Sequence, residues 1–372
     1  MKIIFKVLIG FLNLIYCLFK MLPVKDKVTF ISRQADRPTE DIQLLGKALE
    51  AADPHLKVIY LCKTIKSGIG HVLAYCFHIL RQMYHIATSR VVILDSYCMG
   101  VSLLKQRSSL KVIQMWHALG SLKKFGYSIL GEAEGRSADT AEAMKMHRNY
   151  SYILTSSEEC APHFCQAFGY DISHARIMSL PRVDKITDEK NREKIKEQIY
   201  REYPDIKGKK VVVYAPTFRK DKDISQQIDA LAAAFDPDRY AFVLKKHPLM
   251  EADCQCMTDD KFSTLEMIFA ADYVICDYSA IVFEAALAGK PLFFYAFDYK
   301  EYGADRDFYI DYLAEMPGII SPDASEIAKA VSGDDFDLRK VRLFAEKYVS
   351  EQRDCTKKLA EFVLKEMQKT PT

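Results

Sequence analysis

The stretch Lys210-Val-Val-Val-Tyr-Ala215-Pro-Thr-Phe-Arg219 decides how this chain is organised. Its first six residues are mostly β-branched and aromatic, the composition of a strand buried on both faces. Pro216 has no N–H for a ladder and ends the pairing. Thr217 and Arg219 then stand in the loop leaving the strand's carboxyl end. Immediately upstream, residues 185–210 are strongly charged, which reads as a solvated helix and a natural connection between two domains.

On both sides of that connection short apolar runs alternate with helical patterns. Before it, the runs 27–32, 56–62, 90–95, 111–116, 151–155 and 175–180 read as strands, and 39–51 (with Thr39 as N-cap) and 70–87 as helices. After it come strands at 210–215, 240–245, 272–276 and 291–295. Such alternation predicts parallel sheets flanked by helices. The expected fold is therefore α/β, two Rossmann-like domains facing a cleft, over residues 27–185 and 186–340. An amphipathic C-terminal helix in 341–372, with its pattern beginning at 338, is expected to cross back to the first domain. Ligands of open parallel sheets bind beyond the carboxyl ends of the strands.

Bulk composition excludes little else. The 372 residues carry 52 Lys and Arg against 50 Asp and Glu, so no global charge favours nucleic acid. The ten cysteines form no CxxC pair, and Cys17, Cys62, Cys76 and Cys276 lie in apolar runs, as buried thiols of a reducing compartment would. Residues 1–26 are the compositional anomaly. Lys2, Lys6, Asn13 and Lys20 interrupt an otherwise apolar helix. At about 100° per residue they fall within roughly 40° of one another. A narrow polar stripe predicts an amphipathic helix lying in a membrane interface, its lysines toward anionic head groups. A membrane span and a helix packed on the protein itself are the alternatives.

The chemistry-bearing residues follow the strands. Gln114-Met-Trp-His117-Ala-Leu-Gly-Ser-Leu-Lys-Lys124 places a histidine, a glycine and two lysines at a strand end, the parts of a general base beside an anion site. The same histidine could equally be satisfied by a carbonyl. Thr217 and Arg219 offer a hydroxyl and a guanidinium to phosphate oxygens, although Arg219 would also serve as a surface charge. Lys245-Lys246-His247-Pro248 is a second strand-end histidine. In Asp277-Tyr278-Ser279-Ala280-Ile-Val-Phe-Glu284, Ser279 can cap a helix whose first N–H groups would cradle a phosphate, and Glu284 can reach ribose hydroxyls. A plain helix cap explains Ser279 as well. Tyr299-Lys-Glu-Tyr302-Gly-Ala-Asp-Arg306-Asp-Phe-Tyr309 adds Arg306 as a phosphate clamp. His71, His78 and His85 recur every seven residues on one helix face, a stripe that reads as structural or interfacial. Asp236-Pro-Asp238 reads as a turn, so no metal site is expected.

In this order, Trp116-His117 with downstream lysines, Pro181-Arg-Val-Asp184, Tyr214-Ala-Pro-Thr-Phe-Arg219, Lys246-His-Pro248, Asp277-Tyr-Ser279 followed by Phe283-Glu284, and Tyr302 with Arg306-Asp-Phe-Tyr309 resemble the CDP-glycerol:polyglycerophosphate glycerophosphotransferase family. The resemblance spans roughly residues 88–315. It implies a GT-B-like fold and a peripheral or monotopic position on the cytoplasmic face of the cell membrane. It also implies transfer of glycerol phosphate, or a related polyol phosphate, from CDP-glycerol to a polyprenyl-diphosphate-linked saccharide, with release of CMP. On that resemblance His117 and His247 are the catalytic residues. Thr217, Arg219, Ser279 and Arg306 bind donor phosphate, and Asp277 and Glu284 bind the nucleotide. No cofactor or metal is implied, the partners are a CDP-alcohol, a lipid-linked acceptor and the membrane, and homo-oligomerisation is left open. The chain's length favours single-unit transfer by a primase over polymerisation. Two departures stand out: His117 is followed by Ala118-Leu119 where the family has Gly-Thr, and Ala280 replaces a second serine. They keep two other readings open, a GT-B glycosyltransferase using a nucleotide-sugar and a catalytically silent membrane-bound scaffold.

Overall fold

The apolar runs become strands because their residues are buried on both faces: Val91–Leu94 and Tyr273–Cys276, for example, are inaccessible throughout. The computed structural model of the protein describes residues 2–220, 222–247, 249–250, 252–305 and 307–369. Within them, β1 (Lys27–Ser32), β2 (Lys57–Cys62), β3 (Val91–Leu94), β4 (Lys111–Gln114), β5 (Tyr152–Thr155) and β6 (Ala175–Ile177) form a parallel sheet in the order β2-β1-β3-β4-β5-β6. β7 (Lys210–Ala215), β8 (Tyr240–Leu244), β9 (Met257–Thr258), β10 (Tyr273–Cys276), β11 (Leu292–Tyr295) and β12 (Ile319–Ser321) form a second, in the order β12-β11-β10-β7-β8-β9. β9 and β12 were not expected from the sequence: two and three residues are too short to show a period.

Each sheet anchors one compact unit. The first contains residues up to Ala118, Phe125–Arg182 and those from Glu351 onward; the second contains Leu119–Lys124 and Val183–Ser350. A short strap directly after His117 thus belongs to the second unit. Leu119 and Leu122 are buried in it, and Gly120 is required there because a Cβ would lie 2.5 Å from the Phe283 ring. This contact accounts for the glycine standing where it does. Instead of one helix over 338–367 there are two, Leu338–Tyr348 in the second unit and Cys355–Gln368 in the first. Val349 leaves helical geometry, and Asp354, at φ 55, starts the next helix from the left-handed region.

Helices α1 (Lys2–Lys20), α2 (Glu40–Ala52) and α3 (Ile69–Thr88) belong to the first unit. Thr39 precedes α2, but its hydroxyl lies 3.4 Å from Asp95 Oδ2 and makes no cap. The orientation of α1 corrects the sequence reading. Part of its polar stripe faces the protein: Asn13 Oδ1 accepts from the Lys105 amide at 2.8 Å, and Lys20 Nζ donates to the Lys105 carbonyl at 3.0 Å. Tyr16, fully buried, donates to Gln106 Oε1 at 2.6 Å. Apolar residues point outward instead, Val7, Phe11, Leu14 and Leu18 among them, and α3, packed on α1, exposes Leu73 and Phe77. Cys17 and Cys76 are exposed on these helices and Cys62 is half-buried, while Cys276 is buried as expected. None of the described helices is long and apolar enough to cross a membrane.

Candidate functional site

Open parallel sheets bind ligands where the strand order reverses, because the loops on either side diverge and leave a crevice. In the first sheet that point lies between β1 and β3, in the second between β7 and β10. The loops leaving these strands carry most of the residues singled out above.

In the first unit, β4 ends at Gln114, two residues short of the expected limit, because Trp116 adopts φ 60. That conformation costs a bulky residue on the order of 1–2 kcal/mol. Its N–H donates to Gln114 Oε1 at 3.0 Å, and its ring stacks on Phe125 (centroids 5.1 Å) and meets Phe168 edge-on (5.2 Å). The bend directs His117 so that Nδ1 lies 2.9 Å from the Asp95 carbonyl oxygen. A carbonyl only accepts, so Nδ1 carries the proton and the neutral ring keeps its lone pair on Nε2. The residue keeps an exposed edge, but the groups crowding its ring desolvate it and lower its pKa below the usual imidazole value; the Asp95 carbonyl opposes this, and the Arg182 charge adds to it. The Gln34 side-chain amide lies 3.1 Å from the same Nδ1. Arg182 Nη2 donates to the His117 carbonyl at 3.1 Å, while its backbone N and Nε each donate to the buried Asp41 at 2.8 Å. Gln34, Asp41 and Asp95 escaped the sequence reading, since they are remote in the chain and belong to no motif. Arg182 was visible only inside Pro181-Arg-Val-Asp184.

In the second unit, Thr217, Arg219 and Asp277 come together, but as a framework. Asp277 is fully buried; Oδ1 accepts from the Thr217 N–H (2.8 Å), the Thr217 hydroxyl (2.6 Å) and the Tyr278 N–H (2.6 Å), and Oδ2 accepts from Arg219 (2.9 Å). Arg219 Nε and Nη2 grip Asp298 at 2.7 and 2.9 Å, and its guanidinium lies over Phe297, Tyr278 and Tyr302. A guanidinium with only 4 % of its side chain exposed and two carboxylates on it is an internal strut. The expected phosphate contact of Arg219, and the nucleotide contact of Asp277, are corrected accordingly. Burial alone would raise the Asp298 pKa, but Arg219 holds it below the usual carboxylate range.

His247 leaves β8 and stacks on Phe218 (5.4 Å, 25°), which joins the β7 and β8 loops. Its Nδ1 accepts from the Leu249 N–H at 3.2 Å. The neutral ring therefore carries its proton on Nε2, the opposite tautomer to His117. Burial, then the Lys123 charge, lowers its pKa. Lys123 Nζ donates to the Tyr302 hydroxyl at 2.9 Å, and the strap's Lys124 amide donates to the Asp307 carbonyl at 2.9 Å. Ser279 is half-buried just before the helix Ile281–Leu287, and its hydroxyl accepts from the Ile281 N–H only at 3.4 Å, a weak cap. Glu284 is buried on that helix. Arg306 lies outside the described residues. Among the described residues no group of His, Cys, Asp and Glu is arranged to hold a metal ion.

The first unit thus presents an unprotonated imidazole nitrogen, and the second presents N–H donors at strand ends. The imidazole nitrogen of the first suits proton removal from an alcohol, and the N–H donors of the second suit neutralisation of an anion. A teichoic acid ribitol-phosphate primase of Bacillus spizizenii is 30 % identical over 360 residues, covering 92 % of each chain. A teichoic acid glycerol-phosphate primase of Bacillus subtilis is 29 % identical over 284 residues, 73 % of this chain and 72 % of that one. The solved structure of the wall teichoic acid polymerase TagF superposes with a TM-score of 0.76 over 96 % of this chain and 93 % of that one; at 17 % identity this shows a common, GT-B-like fold. The family model for CDP-glycerol:poly(glycerophosphate) glycerophosphotransferases matches residues 14–365. The chain belongs to this glycerophosphotransferase family and is a transferase.

Proposed function

We propose that the protein transfers a polyol phosphate, glycerol or ribitol phosphate, from a CDP-polyol to a hydroxyl of a lipid-linked saccharide in teichoic acid synthesis. The observation that carries this reading is the 2.9 Å contact of His117 Nδ1 with the Asp95 carbonyl oxygen. With Nδ1–H held by the Asp95 carbonyl, Nε2 is the ring's free base. It takes the acceptor's hydroxyl proton as that oxygen bonds to the donor's β-phosphorus. The bond from β-phosphorus to the bridging oxygen breaks, and CMP leaves with its electron pair. General-base catalysis of this kind is worth roughly 10²–10⁴ in rate.

His247, through Nε2–H, the N–H groups beyond Ser279 and Arg306 meet the phosphate charge, and Glu284 meets the cytidine ribose. Thr217, Arg219 and Asp277 hold the β7 and β10 loops in place for them. These donors answer the diphosphate's charge, so the reading includes neither metal nor cofactor. Matched length to a primase over 92 % of both chains supports transfer of one unit over polymerisation. The outward apolar residues of α1 and α3 support a monotopic position on the inner membrane face, with this apolar face, and not the lysine stripe, toward the lipid.

Incubation of the purified protein with CDP-glycerol or CDP-ribitol and a lipid-linked saccharide tests the reading. Acceptor-dependent release of CMP is expected. Release of a nucleoside diphosphate from nucleotide-sugars would replace it with glycosyl transfer, and failure to bind any CDP-alcohol would leave a silent scaffold.

A further inference from the structure

A cavity of about 290 Å³ opens in the first unit, where the loops leaving β1, β3 and β4 meet at the reversal of strand order. Arg33, Gln34, Tyr97, Trp116, Arg136 and His147 supply its chemistry. Arg33 Nη1 donates to the Tyr97 carbonyl at 3.2 Å, while its Nε is buried with no partner among the described residues. A buried guanidinium N–H left unmatched costs stability unless a ligand accepts from it. Arg136 stands exposed at the rim, and Glu134 also lines the cavity. His147 is buried, takes part in a 3.0 Å hydrogen bond with the Tyr150 hydroxyl, and has its pKa pushed down to about 3 by that burial, so it adds no charge near neutrality. Two arginines against one glutamate leave a net positive lining. Trp116, Tyr97 and His147 offer ring surface to C–H groups, with Trp116 held at φ 60 by its stacking on Phe125.

The cavity adjoins the base. Gln34 lies 3.1 Å from His117 Nδ1, and the Trp116 and His117 rings are 4.3 Å apart. We infer that this cavity is the acceptor subsite, holding an anionic polyol-phosphate or sugar-phosphate segment with its phosphate on Arg33 and Arg136 and a hydroxyl directed to His117 Nε2. The inference rests on the role of His117 proposed above. It explains why a half-buried arginine stands beside a cavity with its Nε–H buried and unmatched, which packing alone does not require.

Trp116 is the single tryptophan of the chain, so its fluorescence reports on this cavity directly. Titration with glycerophosphoglycerol, a phosphodiester bearing free hydroxyls, is expected to change that emission saturably, whereas glycerol is not. Arg136→Gln should weaken the probe roughly ten- to a hundredfold, the loss of one charge-assisted hydrogen bond. Calorimetric affinity for CDP-glycerol should stay unchanged, which also shows that the variant is folded. No response to the phosphodiester, an equal response to glycerol, or indifference to Arg136→Gln would overturn the assignment. Displacement of the probe by CDP-glycerol would give the cavity to the donor, also overturning it. Failure of CDP-glycerol to bind the wild type would instead remove the proposed reaction, a separate result.

Discussion

The loops carrying His117 and His247 both leave the carboxyl end of a parallel strand, yet they leave the imidazole Nε2 in opposite proton states. In the first, a backbone carbonyl accepts from Nδ1–H and Nε2 is left as a base; in the second, a backbone N–H donates to Nδ1 and Nε2 is left as a donor. The supports differ too. The His117 loop is held by hydrogen bonds to the Asp95 carbonyl and from Arg182 and by a strained Trp116, whereas the loops around His247 rest on a buried ion network. One residue type can thus be set in two proton states because backbone geometry, and not the side chain, selects the tautomer.

The largest expected effect separates the two histidines. His117→Ala should lower turnover by roughly 10²–10⁴ while leaving the affinity for CDP-glycerol intact, because a base acts on the acceptor's proton. His247→Ala should weaken CDP-glycerol binding as well, by roughly tenfold or more for a lost hydrogen bond to a charged phosphate. Single-turnover kinetics and calorimetry on both variants decide it. Equal losses of affinity in the two would erase the contrast.

A second effect addresses the supports. Arg219→Met removes the cation between Asp277 and Asp298, leaving Asp277 without a counter-ion and Asp298 with only Lys222 at 3.4 Å. The expected cost is about 3–5 kcal/mol of stability, read as a lower urea midpoint. A variant as stable as the wild type would mean that the network is not what holds the β7 and β10 loops.

These contrasts mark what the sequence could convey. The alternation of apolar runs and helical patterns located ten of the twelve strands among the described residues, since a buried parallel strand writes its length largely in Val, Ile, Leu and aromatic residues. Thr217 and Arg219 were picked out for donor phosphate and Asp277 for the nucleotide; neither their pairing with one another nor their burial was readable. A loop guanidinium and a loop carboxylate look the same in sequence whether they face a ligand or each other. The contribution of Asp95 to the His117 site is a carbonyl oxygen, which no residue type signals. Residues 119–124 pack with the second unit because Leu119, Leu122 and Gly120 fit there, a tertiary fact invisible to local pattern.

The smallest effect is the most direct probe of the comparison. The folded pKa of His117 is depressed, so Nε2 keeps its lone pair at neutral pH and gains a proton only as the pH falls through that lowered value. The acid limb of kcat/KM should therefore have its midpoint below about 6.5, the ordinary imidazole value. Nitrogen-15 spectra of the neutral protein should assign the Nδ1–H form to His117 and the Nε2–H form to His247. The Nε2–H form at His117 would put the proton where the acceptor's proton must go. The ring could then donate but not abstract, and the base would have to be sought elsewhere. Asp95 offers only a poor substitute: its carboxylate is buried and accepts a hydrogen bond from Ser32 at 2.7 Å, so using it would first require breaking that contact.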